Sequence, residues 1–229
     1  MSRFLLLALL GGLMALGVLH RCASVPAEFA ADEKVLGRTQ QELAADWWQW
    51  LMGSSPTLRP SLDSTGINCG VGQKGSVWFL SGSSSNGAVH RVCEIPAGKA
   101  LFFPLISMAA WPPLNAKPDC DCSCDYEEAI AAENNDTAST LYAELDGVPL
   151  KDLAKHRITT TECFELYAKT ASAESDYSAY PTAADGYFIA LKPLKAGRHR
   201  LKYGAQYNND SDPALGHLAQ DIEYTLIVR

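Results

Sequence analysis

The chain has 229 residues, 47% of them hydrophobic and 20% charged, with a formal net charge of −7. An acidic surface argues against nucleic acid and anionic membrane as partners, since both reward positive charge. Seven cysteines in such a chain make the compartment the first question.

The N-terminus bears on that question. Met1-Ser2-Arg3 is a short basic segment, FLLLALLGGLMALGVL (4–19) is an uncharged apolar run, and small residues follow in CASVPAEFA. This is the layout of a secretory signal peptide, expected over 1–27 with cleavage after Ala27, or alternatively after Ser24. The apolar run is shorter than the roughly 20 residues that span a bilayer, so no stable membrane span is expected once the leader is removed. Cys22 follows the bulky polar pair His20-Arg21, unlike the small residues of a lipidation site. The remainder, 28–229, is expected to be one exported β-rich domain, periplasmic or extracellular. It keeps Cys69, Cys93, Cys120, Cys122, Cys124 and Cys163, an even set that reads as disulfides in an exported chain.

TQQELAADWWQWLMG opens that domain with Thr39 and Glu42 at capping-box spacing, which predicts a helix over about 40–52. Leu43, Trp47, Trp50 and Leu51 form its apolar stripe, and Gly53 is a plausible stop. Trp48 points away from that stripe and is a candidate contact residue. SVWFLS (76–81) and AVHRVCEI (88–95) read as strands joined through GSSSNG as a hairpin. After the turn PAGK, ALFFPLI (100–106) is apolar throughout and expected to be buried. WPPLNAKP (111–118), with its prolines, excludes regular structure.

The second half continues the β pattern. TLYAELDGVPL alternates Leu141, Ala143 and Leu145 and turns at Asp146-Gly147, while HRITTTECFELYA (156–168) is β-branched. DGYFIALKPL and RHRLKYGAQY flank the turn KAG, and QDIEYTLIVR closes the chain with Ile222, Tyr224, Leu226 and Val228 in alternation. Arg198, Arg200 and Lys202 share one face of their strand, expected to be solvated. Short, evenly spaced strands indicate a mainly β, sandwich-like fold of the immunoglobulin or jelly-roll type carrying an N-terminal Trp-rich helix. The polar stretches 170–184 and 208–219 are long loops, the usual place for binding residues. Tyr177 and Tyr180 in the first of them join Trp48 as candidate ligand-stacking residues. Trp78, Trp111 and Tyr207 complete the aromatic set.

DWWQWLMG, GQKGSVWFLSG, RVCEIPAGKALFFPLI, AELDGVPL, DGYFIALKPLKAGRHRLKYG and DIEYTLIV together resemble a family of exported, mostly bacterial hypothetical proteins. The resemblance runs from about residue 40 to the C-terminus and implies export and fold. It brings no catalytic residues with it. The triple-cysteine run 120–124 departs from that family's pattern.

That run, PDCDCSCDYEE (118–128), offers several chemistries. Asp119, Asp121, Ser123, Asp125 and Glu127 alternate like the first ligands of a calcium loop, but Cys124 stands where the turn glycine belongs and Ile130 where the bidentate glutamate belongs. Cys120, Cys122, Cys124 and Cys163 are suitable soft ligands for zinc or copper. Disulfides are the leading expectation in an oxidising compartment. Cys69–Cys93 is the simplest bridge; Cys163 then takes one clustered cysteine and two close locally. Cysteines two apart on an extended strand lie about 6.6 Å apart with parallel side chains, so Cys120–Cys124 in a tight turn is the expected local closure; the alternative is that one pair stays free as a redox dithiol.

No G-x-S-x-G elbow and no H-E-x-x-H occurs. A hydrolase would need a site assembled in space from His90, His156, His199 or His217 and an acid. Asn135 and Asn209 lie in glycosylation sequons. The sequence thus leads to a non-catalytic, disulfide-bonded binding or envelope-associated protein. Polysaccharide or another cell-envelope component is the candidate partner; no cofactor is expected, and calcium is the candidate should the acids of 119–127 hold one. A secreted hydrolase and a metal-binding protein using 119–127 are the alternatives.

Overall fold

The computed structural model describes residues 27–168 and 178–229. The expected signal segment, apart from Ala27, and Tyr177 lie outside the described residues. The first helix, α1, is Gln40–Met52. Strands β1 (Val77–Phe79), β2 (Gly87–Ile95) and β3 (Ala100–Ala110) follow, then helix α2 (Cys124–Asp136). Next come β4 (Ser139–Leu145), β5 (Val148–Pro149), β6 (Arg157–Thr159), β7 (Ala183–Leu191), β8 (Gly197–Asn208) and β9 (His217–Val228). They form a four-stranded sheet, β1-β3-β7-β6, and a five-stranded sheet, β2-β9-β8-β4-β5. The protein is mainly β, as the strand pattern indicates. Among the described residues no helix is long and apolar enough to cross a membrane.

The capping box at α1 forms as its spacing predicts. Thr39 Oγ1 accepts from Glu42 N at 3.2 Å, and Glu42 Oε2 accepts from Thr39 N at 2.8 Å. Leu43, Trp47, Trp50 and Leu51 are buried beneath the helix. They meet the outer face of the four-stranded sheet, where Ala100 and Phe102 of β3 lie beside Phe188 and Ala190 of β7. Phe102 and Phe188 stack with centroids 5.3 Å apart, and Trp47 sits edge-on to Phe188 at 6.0 Å. Leu101, Phe103 and Leu105 of β3 point the other way, with Ile189 and Leu191, into the core between the sheets. There they meet Leu201, Tyr203, Ile222, Tyr224 and Leu226 of β8 and β9. The unbroken apolar run of β3 is thus a strand with no face toward water. Arg200 and Lys202, on the outward face of β8, pair with Glu223 at 3.7 and 3.2 Å.

Two expectations need correction. SVWFLS and AVHRVCEI do not form a hairpin: β1 runs parallel to β3, and β2 parallel to β9, in different sheets. The connecting residues are a clamped strap that passes from one sheet to the other. Gln220 accepts from Ser83 N at 2.8 Å and donates to Ser83 O at 2.7 Å. Arg91 Nη1 donates to Ser81 O at 2.7 Å and Gly82 O at 3.0 Å. Turn-forming composition reports that a chain bends, and these long-range bonds decide where it goes. The stretch 156–168 is a strand only over Arg157–Thr159. Beyond it Cys163 leaves the sheet to bond Cys124, and only a lone bridge, Phe164 to Thr182, remains.

Arg91 is 3% exposed, and the acceptors around it are neutral. Besides Ser81 O and Gly82 O they are Asp63 O at 2.7 Å and Tyr224 Oη at 3.0 Å, with the Tyr224 ring 5.5 Å from the guanidinium. Tyr203 and Tyr224 hydroxyls also donate to Ser81 O, each at 2.9 Å. Arg91→Met leaves the buried Gly82 carbonyl and the half-buried Asp63 carbonyl without this donor. The expected loss is about 2–3 kcal/mol of unfolding free energy, read as a lower urea midpoint at unchanged slope. An unchanged midpoint would show that the strap does not need its clamp.

Candidate functional site

The cysteine cluster is the approach to a helix. Residues 111–123 carry no regular structure, and α2 begins at Cys124 with Ser123 as its N-cap. Ser123 Oγ accepts from Tyr126 N at 3.2 Å and donates to Asp121 Oδ1 at 2.8 Å. Asp125 and Glu127 then fall in the first turn, where a carboxylate is favoured by the exposed amide dipoles. Successive helical residues turn about 100°, so Asp125 and Glu127 face different sides of α2. Asp125 is exposed and Glu127 is 4% exposed. The alternation that resembled a calcium loop is, past Ser123, helical, and Asp119 stays exposed in the approach.

All six cysteines among the described residues are bridged. Cys69–Cys93 forms, and Cys163 takes Cys124 from the cluster, as expected in kind. The local closure is Cys120–Cys122, not Cys120–Cys124. The helix start commits Cys124 to Cys163. The remaining pair closes because its segment is not extended: its Cα atoms are 5.4 Å apart, within disulfide reach.

A cleft of 340 Å³ opens beside α2. Trp111 beyond the end of β3, Tyr126 of α2 and Leu215 of the β8–β9 loop supply apolar surface, while Glu127, Glu133 and Asp212 supply carboxylates. Asn134 builds one wall: its Nδ2 donates to Asp212 Oδ2 at 3.1 Å and Leu215 O at 3.3 Å, and its Oδ1 accepts from Asn209 Nδ2 at 2.8 Å. This fixes the loop against the helix. Two carboxyl groups lining the cleft are tuned in opposite senses. Amide donation from Leu215, then Asn134, holds Asp212 below the ordinary carboxylate range. Burial, with Asp121 adding repulsion, raises Glu127 above it. Beside them burial and Asp212 push the Tyr207 hydroxyl up to about 12.

The other expected site residues lie elsewhere. Trp48 is half-buried, its ring edge-on to Trp47 at 5.2 Å and its Nε1 sealed from solvent without a partner among the described residues. Tyr180 is exposed and, like Trp48, does not line the α2 cleft. Trp78 is in the core. The histidines are not brought together with each other. His199 bonds Asp146 at 2.7 Å and Lys195 O at 2.9 Å through its two ring nitrogens. His217 pairs with Asn208 and, at 3.5 Å, Asp210; His90 lies 4.0 Å from Glu223. Burial depresses His156, whose Nδ1 has no partner among the described residues. None of them lines the α2 cleft. Asn135 is fully buried, its Nδ2 donating to Ala131 O and Asp185 O, so that sequon is closed in the folded protein.

Sequence reasoning missed α2 and with it Tyr126, Glu133, Asp212 and Leu215 as one group. Ser123 followed by Asp125 and Glu127, a cap with acids in the first turn, was the available signal.

No family model and no curated protein sequence matches the chain. Among solved structures, a solution structure of amebosin aligns at a TM-score of 0.20 and 8% identity, covering 65% of this chain and 95% of that one. A likeness at that level carries no argument about fold or function. The class defined by the chain itself is a mainly β, two-sheet protein with three disulfides, a usage that belongs to oxidising compartments.

Because folding raises Glu127, the unfolded chain gives up that proton at lower pH than the folded one. Glu127 therefore costs no stability below its unfolded value, and stability falls as pH rises toward and through its folded value. Glu127→Gln is expected to flatten that decline, measured by urea unfolding at pH values from the ordinary glutamate range, about pH 4, upward. An unaltered pH profile would place the carboxyl in water.

Proposed function

We propose that the protein is an exported binding protein of the periplasm or cell exterior, and that it takes a neutral glycan in the α2 cleft. One observation carries this reading: apolar ring surface at Trp111 and Tyr126 lines the same open cleft as carboxylates at Glu127, Glu133 and Asp212. A sugar presents the matching chemistry, an apolar ring face for the aromatics and hydroxyls for the acids. The cleft's negative charge disfavours acidic polysaccharides and selects neutral ones. The disulfides and the signal-like N-terminus support an extracytoplasmic setting, and the cell envelope or an external polysaccharide supplies such ligands.

A second reading rests on the opposed tuning of Glu127 and Asp212. A carboxyl pushed above its ordinary range beside one held below it matches the division of labour in a glycoside hydrolase. In that reading Glu127 protonates the leaving oxygen and Asp212 acts as the base. A histidine–acid site receives no such support, because none of the described histidines lines this cleft.

The two readings separate in one experiment on the full chain. Affinity electrophoresis in neutral polysaccharides is expected to show retardation, weakened about tenfold by Trp111→Ala or Tyr126→Ala, as loss of one aromatic contact implies. Trp48→Ala leaves it unchanged. Release of reducing ends, abolished by Glu127→Gln while binding survives, would establish the hydrolase instead. Retardation untouched in the double aromatic variant would remove the cleft from consideration.

A further inference from the structure

Helical spacing sets Cys124 and Glu128, four residues apart, on one face of α2. Glu128 Oε1 lies 3.7 Å from Cys124 Sγ. Cys163 Sγ is bonded to that sulfur, so two sulfurs and a carboxylate oxygen lie within 4.8 Å of one another, all three residues half-buried. We infer that this is a soft-metal site closed by its own disulfide: once the bridge is reduced, Cys124, Cys163 and Glu128 hold one zinc-class divalent ion. The inference does not depend on the glycan reading.

The geometry is close to what a tetrahedral ion requires. With Zn–S near 2.3 Å and Zn–O near 2.1 Å, the sulfur-to-oxygen edge of the tetrahedron is about 3.6 Å. The Cys124–Glu128 separation of 3.7 Å already meets it. The two sulfurs must part from a bond of about 2.05 Å to an edge of about 3.8 Å, a shift that side-chain rotation supplies. Their Cα atoms, 5.8 Å apart, stay where they are. Three protein ligands leave the fourth position to water, the open arrangement of a reactive or exchangeable zinc site. The ligand set differs from the run of aspartates in the sequence: Asp119, Asp121 and Asp125 contribute field rather than bonds. That field disfavours bare thiolates and favours a dication that neutralises them.

The chemistry balances with a dithiol as reductant. Its thiolate attacks one sulfur of the Cys124–Cys163 bond, and the resulting mixed disulfide resolves. The reductant leaves as its own disulfide, and both cysteine sulfurs take up protons. The ion then binds the two sulfurs and displaces those two protons to solvent. Cys69–Cys93 is buried, with Cys93 1% exposed, so a mild dithiol reaches the outer bridges first.

The test uses the full chain, oxidised or reduced with dithiothreitol and desalted without oxygen, then titrated with Zn²⁺ and with Cd²⁺. Metal retained through gel filtration and the cadmium–thiolate charge-transfer band are the readouts. The reduced protein is expected to keep one ion per chain and the oxidised protein none. Glu128→Gln weakens zinc binding at least about tenfold with the thiolate band intact, and Cys163→Ser weakens it further and diminishes the band. The Cys120→Ser/Cys122→Ser double variant, which keeps the proposed ligands, retains the ion within about tenfold. Three results would overturn the inference. The first is equal zinc on the oxidised protein, and the second is no zinc on the reduced double variant. The third is a near-ultraviolet dichroism spectrum showing that the metal-binding form has lost its core.

Discussion

β3 and β7 have no face toward water, and the rest of the structure follows from covering them. A sheet buried on one side needs one partner layer; these strands need two. The inner face meets the five-stranded sheet. β3 has 11 residues, about 36 Å at strand rise, while the 13 residues of α1 reach only about 20 Å. α1 therefore covers the end of the outer face that carries Ala100, Phe102, Phe188 and Ala190. α2 packs on β3 and β7 as well. It is reached by Arg157, which is level with Tyr187 of β7 and so on the face turned toward the core between the sheets. On the outer face of the far end Ser107 pairs with Gly186 and Ala109 with Ala184, all small. A β-carbon on Gly186 would come within 2.5 Å of the Ser107 side chain, so that position admits nothing larger.

That arrangement explains what could be read from the sequence. α1 announced itself twice, by its capping box and by a Trp-Leu stripe, because large apolar residues are its means of attachment. The strands of both sheets were legible from alternation or from continuous apolarity, since those patterns state how many faces are buried. α2 was silent to the same reasoning. Its buried residues, Glu127, Ala131, Asn134 and Asn135, have helical spacing but little hydrophobicity, so a search for apolar periodicity passes over them. Strand pairing was equally hidden. Nothing local in SVWFLS or AVHRVCEI says that each runs parallel to a strand elsewhere in the chain, because the bonds that decide it come from Arg91 and Gln220.

Buried polar groups hold the joints between these layers. Arg91 of β2 ties to the strap after β1 through carbonyls and to β9 through the Tyr224 hydroxyl, without a carboxylate among the bonds described. Asp185 does comparable work at the other end. It is fully buried and raised by that burial, while Thr159 and Arg157 pull it back. Arg157 Nε meets its Oδ1 at 3.1 Å, and Arg157 Nη2 continues to Asp136 at 2.6 Å on the last turn of α2. One arginine thus locks β6, β7 and α2 together. Such networks cost desolvation and return geometry: a buried donor accepts only the partner placed for it, which fixes register where apolar packing would tolerate slippage.

The acids of 119–128 serve more than one purpose in this scheme. Asp121 orders the N-cap, Asp125 and Glu127 occupy the positive end of α2, and Glu128 faces the Cys124–Cys163 bridge. The same negative charge bears on the bridge itself. An attacking thiolate and a leaving thiolate are both anions, and each is disfavoured where carboxylates crowd the sulfur, so the acids slow opening of the disulfide. The bridge in turn anchors the first turn of α2, and that turn carries Tyr126 and Glu127 into the cleft. Ligand surface, helix start and disulfide are therefore one mechanical unit. A change in the state of Cys124 reaches the cleft through two residues of helix rather than through the core.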